Sequence, residues 1–271
     1  MSLLTSAPLL SGTAVAASGD GFTPPGPADF WLPMWGEGWL LFTRPMGVAL
    51  IITVILMGVL WMMTRNASAV PTKGQFVFEY IYDFVRNGIG QDIIGSKEFR
   101  RFVPLLLSLF LFIWFTNLAG VITPFMMPVS ARIGFPLALV LVAFLTYHYV
   151  GVRKHGPVGY IKNMVPAGLP GWITPAILLL ELITNFITRP LTLTLRLFGT
   201  MFAGHMLLAL FVLGGEYMIS TGQIFLVLSG VGSLLMGVLV VLFEILIQSL
   251  QAYIFALLTA SYIGDALADS H

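Results

Sequence analysis

The chain has no cysteine, which excludes disulfide frameworks, thiolate metal sites and cysteine nucleophiles without disclosing the compartment. Charge is almost as scarce. Only 9% of the 271 residues are Asp, Glu, Lys or Arg, and the net charge of +1 leaves no basic face for nucleic acid, so the few charges matter by position. The four histidines form no His-x-x-x-His pair, and no Gly-rich phosphate loop or Ser-centred elbow occurs. The long apolar stretches lack the paired histidines that would ligate haem. Neither a cofactor nor a metal is expected. What remains is apolar: 58% of residues are hydrophobic and the mean hydropathy is +0.93, as in an all-α multi-pass membrane protein.

Two regions divide the chain. Residues 1–45, rich in Gly, Pro, Ala and Ser, read as an extracytoplasmic N-terminal segment, and residues 46–271 as a single membrane domain. Met1 to Ser18 has the apolar body and Ala-Val-Ala-Ala end of a candidate signal peptide but lacks a positive n-region. Trp31, Trp35 and Trp39 suit an interfacial anchor.

Met46 to Met63 is long enough for a first span. The following stretch holds Arg65, Lys73, Arg86, Lys97, Arg100 and Arg101, which the positive-inside rule places in the cytoplasm with the N-terminus outside. Within it, FVFEYIYDFVRNGIG has the spacing of an amphipathic helix lying on the membrane surface. Phe102 to Ile122 and Phe135 to Val150 supply two more spans, and the exit of the latter carries Arg153, Lys154 and Lys162. His148 and His155 read as interfacial residues rather than ligands. Asn117 suits a helix–helix hydrogen bond and a water path equally well.

The last two apolar stretches, about 172–213 and 221–267, are each about twice the length needed to cross, so they must be steeply tilted or broken. That makes five transmembrane helices plus the surface helix. The loop GGEYMISTG between the long pair has no Lys or Arg, as an outside loop should. The C-terminus then lies inside by helix count.

The most informative stretch is ELITNFITRPLTLTLRLFGTMFAGH, from Glu181 to His205. A charge at the bilayer centre costs about 2.5 to 17 kcal/mol, so Glu181, Arg189, Arg196 and His205 require a reason. On one helix, Glu181, Asn185, Thr188, Thr192 and Arg196 would share an arc of about 80°. His205 would face about 180° from Arg196 and stand roughly 13 Å away along the axis. Pro190 makes this arc approximate. In the last stretch, Ser233, Glu244, Gln248 and Gln251 fall within about 60°, and a bare carboxylate at Glu244 would need a partner, water or a proton.

RPLTLTLRLFGTMFAGH, followed some forty residues on by FEILIQSLQAYIFALLT, resembles the two motif-bearing helices of the bacterial proton-channel subunit a of rotary F-type ATP synthases. TNLAGVITP and the five-span layout share the likeness more loosely. The resemblance implies a stator subunit in the cell inner membrane, held against the c-ring and joined to peripheral-stalk b subunits and a soluble ATPase sector. Protons would pass through two offset half-channels, and the chain alone would not be an enzyme. By position, Arg196 matches the essential arginine, His205 and Glu244 a polar pair of the outer half-channel, and Gln251 a glutamine facing the arginine. Glu181 occupies the neighbourhood of an inner-channel carboxylate. Asn185, Thr200, Gln248 and Asn117 complete the candidate proton-path residues. Two departures stand out: the imidazole and carboxylate of the pair are exchanged relative to many members, and Thr200 replaces a common Asn. A simple hairpin would set Glu244 deeper than His205, so a break around Ser229 to Ser233 is expected.

Two other classes compete. Broken helices and intramembrane charges also describe a proton- or sodium-coupled secondary transporter, although no internal repeat supports it. An intramembrane enzyme has still less support, since its motifs are missing.

Overall fold

Where apolar runs go uninterrupted, the backbone can satisfy its own polar groups only by coiling, and helices dominate for that reason. The computed structural model describes residues 22, 24, 26, 33–35, 42–65, 73–95, 98–122, 129–164 and 173–268. Eight α-helices follow in order: α1 (Arg44–Arg65), α2 (Lys73–Asp83), α3 (Val103–Leu118), α4 (Gly134–His155), α5 (Pro157–Asn163), α6 (Thr174–Ile183), α7 (Arg189–Ser220) and α8 (Ile224–Leu267). A π-helical stretch, Phe84–Ile94, prolongs α2, and another, Thr184–Thr188, joins α6 to α7. Among the described residues, four stretches are long and apolar enough to cross a membrane: 45–62, 134–155, 174–220 and 224–267. Helix α3 is apolar but has only 16 residues.

The all-helical expectation needs one correction. Strands β1 (Pro33–Trp35) and β2 (Phe42–Thr43) pair antiparallel just before α1. The expectations for Met1 to Ser18, Trp31 and Trp39 lie outside the described residues, as does the end of the TNLAGVITP motif at Thr123 and Pro124.

Contacts order the helices end to end. Val48, Ala49 and Ile52 at the start of α1 pack with Ala119 and Val129 beyond the end of α3, so α1 and α3 run in opposite senses. Phe22 lies with its ring 5.5 Å from that of Tyr217, which places this part of the N-terminal segment near the α7–α8 turn. The main core joins α3, α4, α7, α8 and the first π stretch through Val85, Ile89, Leu106, Ile113, Val140, Leu197, Phe255 and Ile263. Lipid offers no hydrophobic drive for such association, so packing and interhelical hydrogen bonds must supply it. Trp114 Nε1 donates to Ser249 Oγ at 3.0 Å, Tyr147 Oη to the Asn185 carbonyl at 3.0 Å, and Ser233 Oγ to the Phe211 carbonyl at 2.8 Å.

Two sequence readings of the long pair change. Helix α7 continues through Gly214 to Ser220, so the turn is only Thr221 to Gln223, eased by Gly222 at φ +73°. Helix α8 is continuous from Ile224 to Leu267, with no break near Ser229 to Ser233. None is needed, because the register supplies what a break would have supplied. Ile219 meets Gly230, Val212 meets Gly237, and His205 meets Glu244, each step seven residues back on α7 and seven forward on α8. Two helical turns take about seven residues, so both helices return the same face to the seam each time.

Glycine makes the seam possible. A Cβ on Gly230 would stand 2.8 Å from both the Gly215 carbonyl oxygen and Ile219 Cγ1, whereas one on Gly232 would meet nothing within 4 Å. Gly230→Val should therefore push α7 and α8 apart, at a cost of about 1–3 kcal/mol, while Gly232→Val should be neutral. Thermal unfolding of the purified chain in detergent would show the melting temperature falling several degrees for the first substitution only.

Candidate functional site

Two polar zones flank a dry layer. The first lies where α7 and α8 meet the end of α3. The His205 imidazole, 5% exposed, contacts the Glu244 carboxylate, 4% exposed, through Nδ1 and Oε1. Its Nε2 lies 2.9 Å from the Gly120 carbonyl oxygen. That carbonyl belongs to the last turn after α3, where helix ends leave acceptors unused. Since a carbonyl only accepts, Nε2 must carry the hydrogen. Nδ1 then faces the Glu244 carboxylate across the seam.

Small residues let the pair form. A Cβ on Gly120 would be 3.0 Å from His205 Cε1 and Nε2, and one on Gly204 would be 3.2 Å from Glu244 Oε1. Asn117 is fully buried beside this pair and accepts from Ser130 Oγ at 2.7 Å through Oδ1, while its Nδ2 has no partner among the described residues. One end of Asn117 is thus a packing hydrogen bond and the other is uncommitted.

The polar row continues down α8. Gln248 is fully buried with neither amide atom paired, and Gln251 is buried with Nε2 unpaired, among the described residues. Such atoms cost about 1–3 kcal/mol each when left dry. The row then stops. Phe255, Leu197, Ala252 and Ala256 are all fully buried and Leu193 nearly so, forming an apolar layer across α7 and α8.

Beyond this layer lies the second zone, a cavity of about 140 Å³ whose lining includes Glu181, Asn185, Arg189, Tyr147, Tyr262 and Asp265. It has room for several waters, each needing roughly 10–15 Å³ by this measure. Asn185 Nδ2 donates to the Glu181 carbonyl at 2.9 Å and to its Oε2 at 3.2 Å. Arg189 pairs with Asp265 at 3.0 Å and stacks 4.7 Å over the Tyr262 ring. Tyr160 closes one side. Burial raises its hydroxyl pKa and the Arg189 charge only partly opposes this, so it stays a neutral hydroxyl.

The stripe from Glu181 to Arg196 is not one face. The Arg189 N–H bonds the Thr184 carbonyl, a π-type link just before Pro190, which has no N–H to give Phe186. The wide turn inserts one residue and rotates what precedes it by about 100°. Asn185 is therefore buried and turned to the cavity, while Thr188, Thr192 and Arg196 are exposed. Arg196 belongs to neither zone. Its side chain stands on the outer surface beside the dry layer, and its guanidinium makes no ion pair or hydrogen bond among the described residues. Thr200 spends its hydroxyl on the Arg196 carbonyl at 2.9 Å and joins neither zone.

Nothing in the spacing of 76 residues between Arg189 and Asp265 joins them in the sequence. Tyr147 and Tyr262 carried no signal beyond being aromatic in apolar runs. Among the described residues, no group of three or more His, Asp or Glu could hold a metal ion.

Such an arrangement defines a class: an integral membrane protein holding separated polar zones within its apolar layer, with a cation on its open face. Residues 46–264 match the family described as ATP synthase A chain. Relatives named ATP synthase subunit a include one from Nocardioides sp. (strain ATCC BAA-499 / JS614), 43% identical over 267 residues, covering 94% of this chain and 96% of that protein. Another, from Streptomyces lividans, is 38% identical over 93% of this chain and 90% of its own length. A third, from Rhodococcus erythropolis, is 36% identical over 97% of this chain and 96% of its own. The chain belongs to the ATP synthase A chain family.

His205 and Glu244 should behave as a unit. His205→Glu combined with Glu244→His restores one imidazole and one carboxylate across the same seam and should pump better than either single variant. A double-mutant cycle on ATP-driven proton uptake would reveal a coupling of about 0.5–3 kcal/mol, whereas additive losses would show independent groups.

Proposed function

We propose that the chain is the stator subunit of the F-type ATP synthase membrane sector, conducting protons to and from the carboxylates of a rotating c-ring. The single observation that carries this is the exposed Arg196, without an ion pair or hydrogen bond among the described residues, beside a dry layer that separates two polar zones. A charge facing hydrocarbon is expensive, so that face needs a polar partner. A path blocked inside one chain can continue only over its surface.

A ring carboxylate arriving at Arg196 would be held ionised by the fixed guanidinium, which keeps its charge even when partly desolvated. Its proton leaves toward the cavity of Glu181, Asn185 and Arg189. After rotation the carboxylate is reloaded from the zone of His205, Glu244, Gln248, Gln251 and Asn117. A bound carboxylate that loses its charge can enter lipid, and one that keeps it cannot, so the arginine makes the motion directional. A potential of 100 mV supplies about 2.3 kcal/mol per crossing charge, and rotation pools several crossings for one costly synthesis.

The orientation places the N-terminus outside and the C-terminus in the cytoplasm of the inner membrane. Basic residues Arg101, Arg153, Lys154 and Lys162 all lie at the end of the molecule shared with the Glu181 cavity, which supports making that zone the cytoplasmic one. In this reading α3 is a fifth span, shortened to about 24 Å. The stretches 174–220 and 224–267, about 70 and 66 Å long, cross steeply tilted around the ring. The peripheral-stalk b subunits hold the chain in place, and nucleotide chemistry belongs to the soluble sector. Family membership counts against the secondary transporter.

Arg196→Ala should abolish ATP-driven proton pumping in inverted vesicles, a loss of at least about tenfold, while the complex still assembles. Pumping at the unaltered rate would sink the scheme.

A further inference from the structure

At the end of the molecule away from the His205–Glu244 pair, the start of α3 and the last turns of α4 leave a groove of about 540 Å³. Its mouth carries Arg101, Arg153 and Lys154 against one acid, Glu98, and its wall is made by Phe102, Leu105 and Tyr149. None of these residues belongs to either polar zone. Lys154 is committed in part, since its Nζ donates to the Leu267 carbonyl at the end of α8. Arg153 reaches only the Tyr149 hydroxyl, at 3.3 Å, and Arg101 makes no side-chain ion pair or hydrogen bond among the described residues. Two exposed guanidinium groups therefore face one groove with their charge unmatched.

Their height on the helices is informative. Arg101 stands two residues before the apolar run of α3 begins at Val103, and Arg153 follows the apolar run of α4. Both thus sit where hydrocarbon gives way to headgroups. From Arg153 the groove continues inward to Thr146, about 10 Å along the helix, over an apolar wall. Guanidinium groups pair with phosphate oxygens through a planar fork. The wall below them suits an acyl chain. We infer that this groove binds one anionic phospholipid, its phosphodiester held by Arg101 and Arg153 and one acyl chain laid along Phe102, Leu105 and Tyr149. Free phosphate would leave the wall bare, and an acidic protein segment would have to bury its charges beside a surface that opens toward lipid. The bound molecule would brace the ends of α3 and α4 against Leu267, and so steady the end of α8 that carries Asp265. The inference requires only that the chain crosses a bilayer and stands apart from the proton path, so either can fail alone.

The test is photo-crosslinking from Leu105→p-benzoylphenylalanine in the intact complex, reconstituted in vesicles of equal dioleoyl phosphatidylglycerol and phosphatidylcholine. Mass spectrometry of the labelled peptide reads the adducts. Phosphatidylglycerol should exceed phosphatidylcholine by about tenfold or more. The excess should vanish with Arg101→Gln and Arg153→Gln together, survive Arg101→Lys and Arg153→Lys, and persist in added inorganic phosphate. Adducts in the bulk lipid ratio would overturn the proposal, as would a crosslink to a neighbouring subunit or loss of the excess to inorganic phosphate. If the Gln pair fails to assemble, the adduct ratio in the arginine-bearing protein decides the matter.

Discussion

A charged side chain in hydrocarbon must be paired, wetted or covered, and the arrangement of this protein follows from how each ionisable group meets that demand. His205 and Glu244 meet it by pairing with each other. Arg189 meets it with Asp265 and the face of Tyr262. Glu181 opens onto a polar cavity. Arg196 is left on an exposed face, with no ion pair or hydrogen bond among the described residues, at the level of a layer built from Phe255, Leu197 and alanines. In the proposed function that demand falls to another subunit.

The exchanged order of imidazole and carboxylate in the His205–Glu244 pair is chemically coherent. The Gly120 carbonyl fixes the hydrogen on Nε2 and leaves Nδ1 facing the carboxylate between α7 and α8. Which helix carries the imidazole is immaterial to that contact, provided the seam brings both to one level. The glycines at 120 and 204 serve this by leaving space where a side chain would press on either partner.

Backbone irregularity is placed where it changes direction. Pro190 cannot complete an ordinary helical turn, and the π turn before it swings Glu181 and Asn185 inward while Thr192 and Arg196 remain outward. One continuous helix thereby serves a polar cavity and an outer face. Helix α8 needs no such device, because its seven-residue register with α7 already brings the required groups together.

Much of this was legible in the chain itself. Composition made it a membrane protein, apolar run lengths set the helices, and the rarity of intramembrane charge singled out Glu181, Arg196, His205 and Glu244, because a local pattern records the local cost of burying each residue. Distance along the chain hid the rest. The meeting of Arg189 with Asp265, of Gly120 with His205, and of Leu197 with Phe255 depends on how separate helices pack, and no period within one helix encodes a contact with another. The sequence alone thus determined which residues are too costly to be idle. Only the tertiary structure decided which are paired, which are separated by a dry layer, and that Arg196 faces outward, because interhelical register and a single widened turn set those relations.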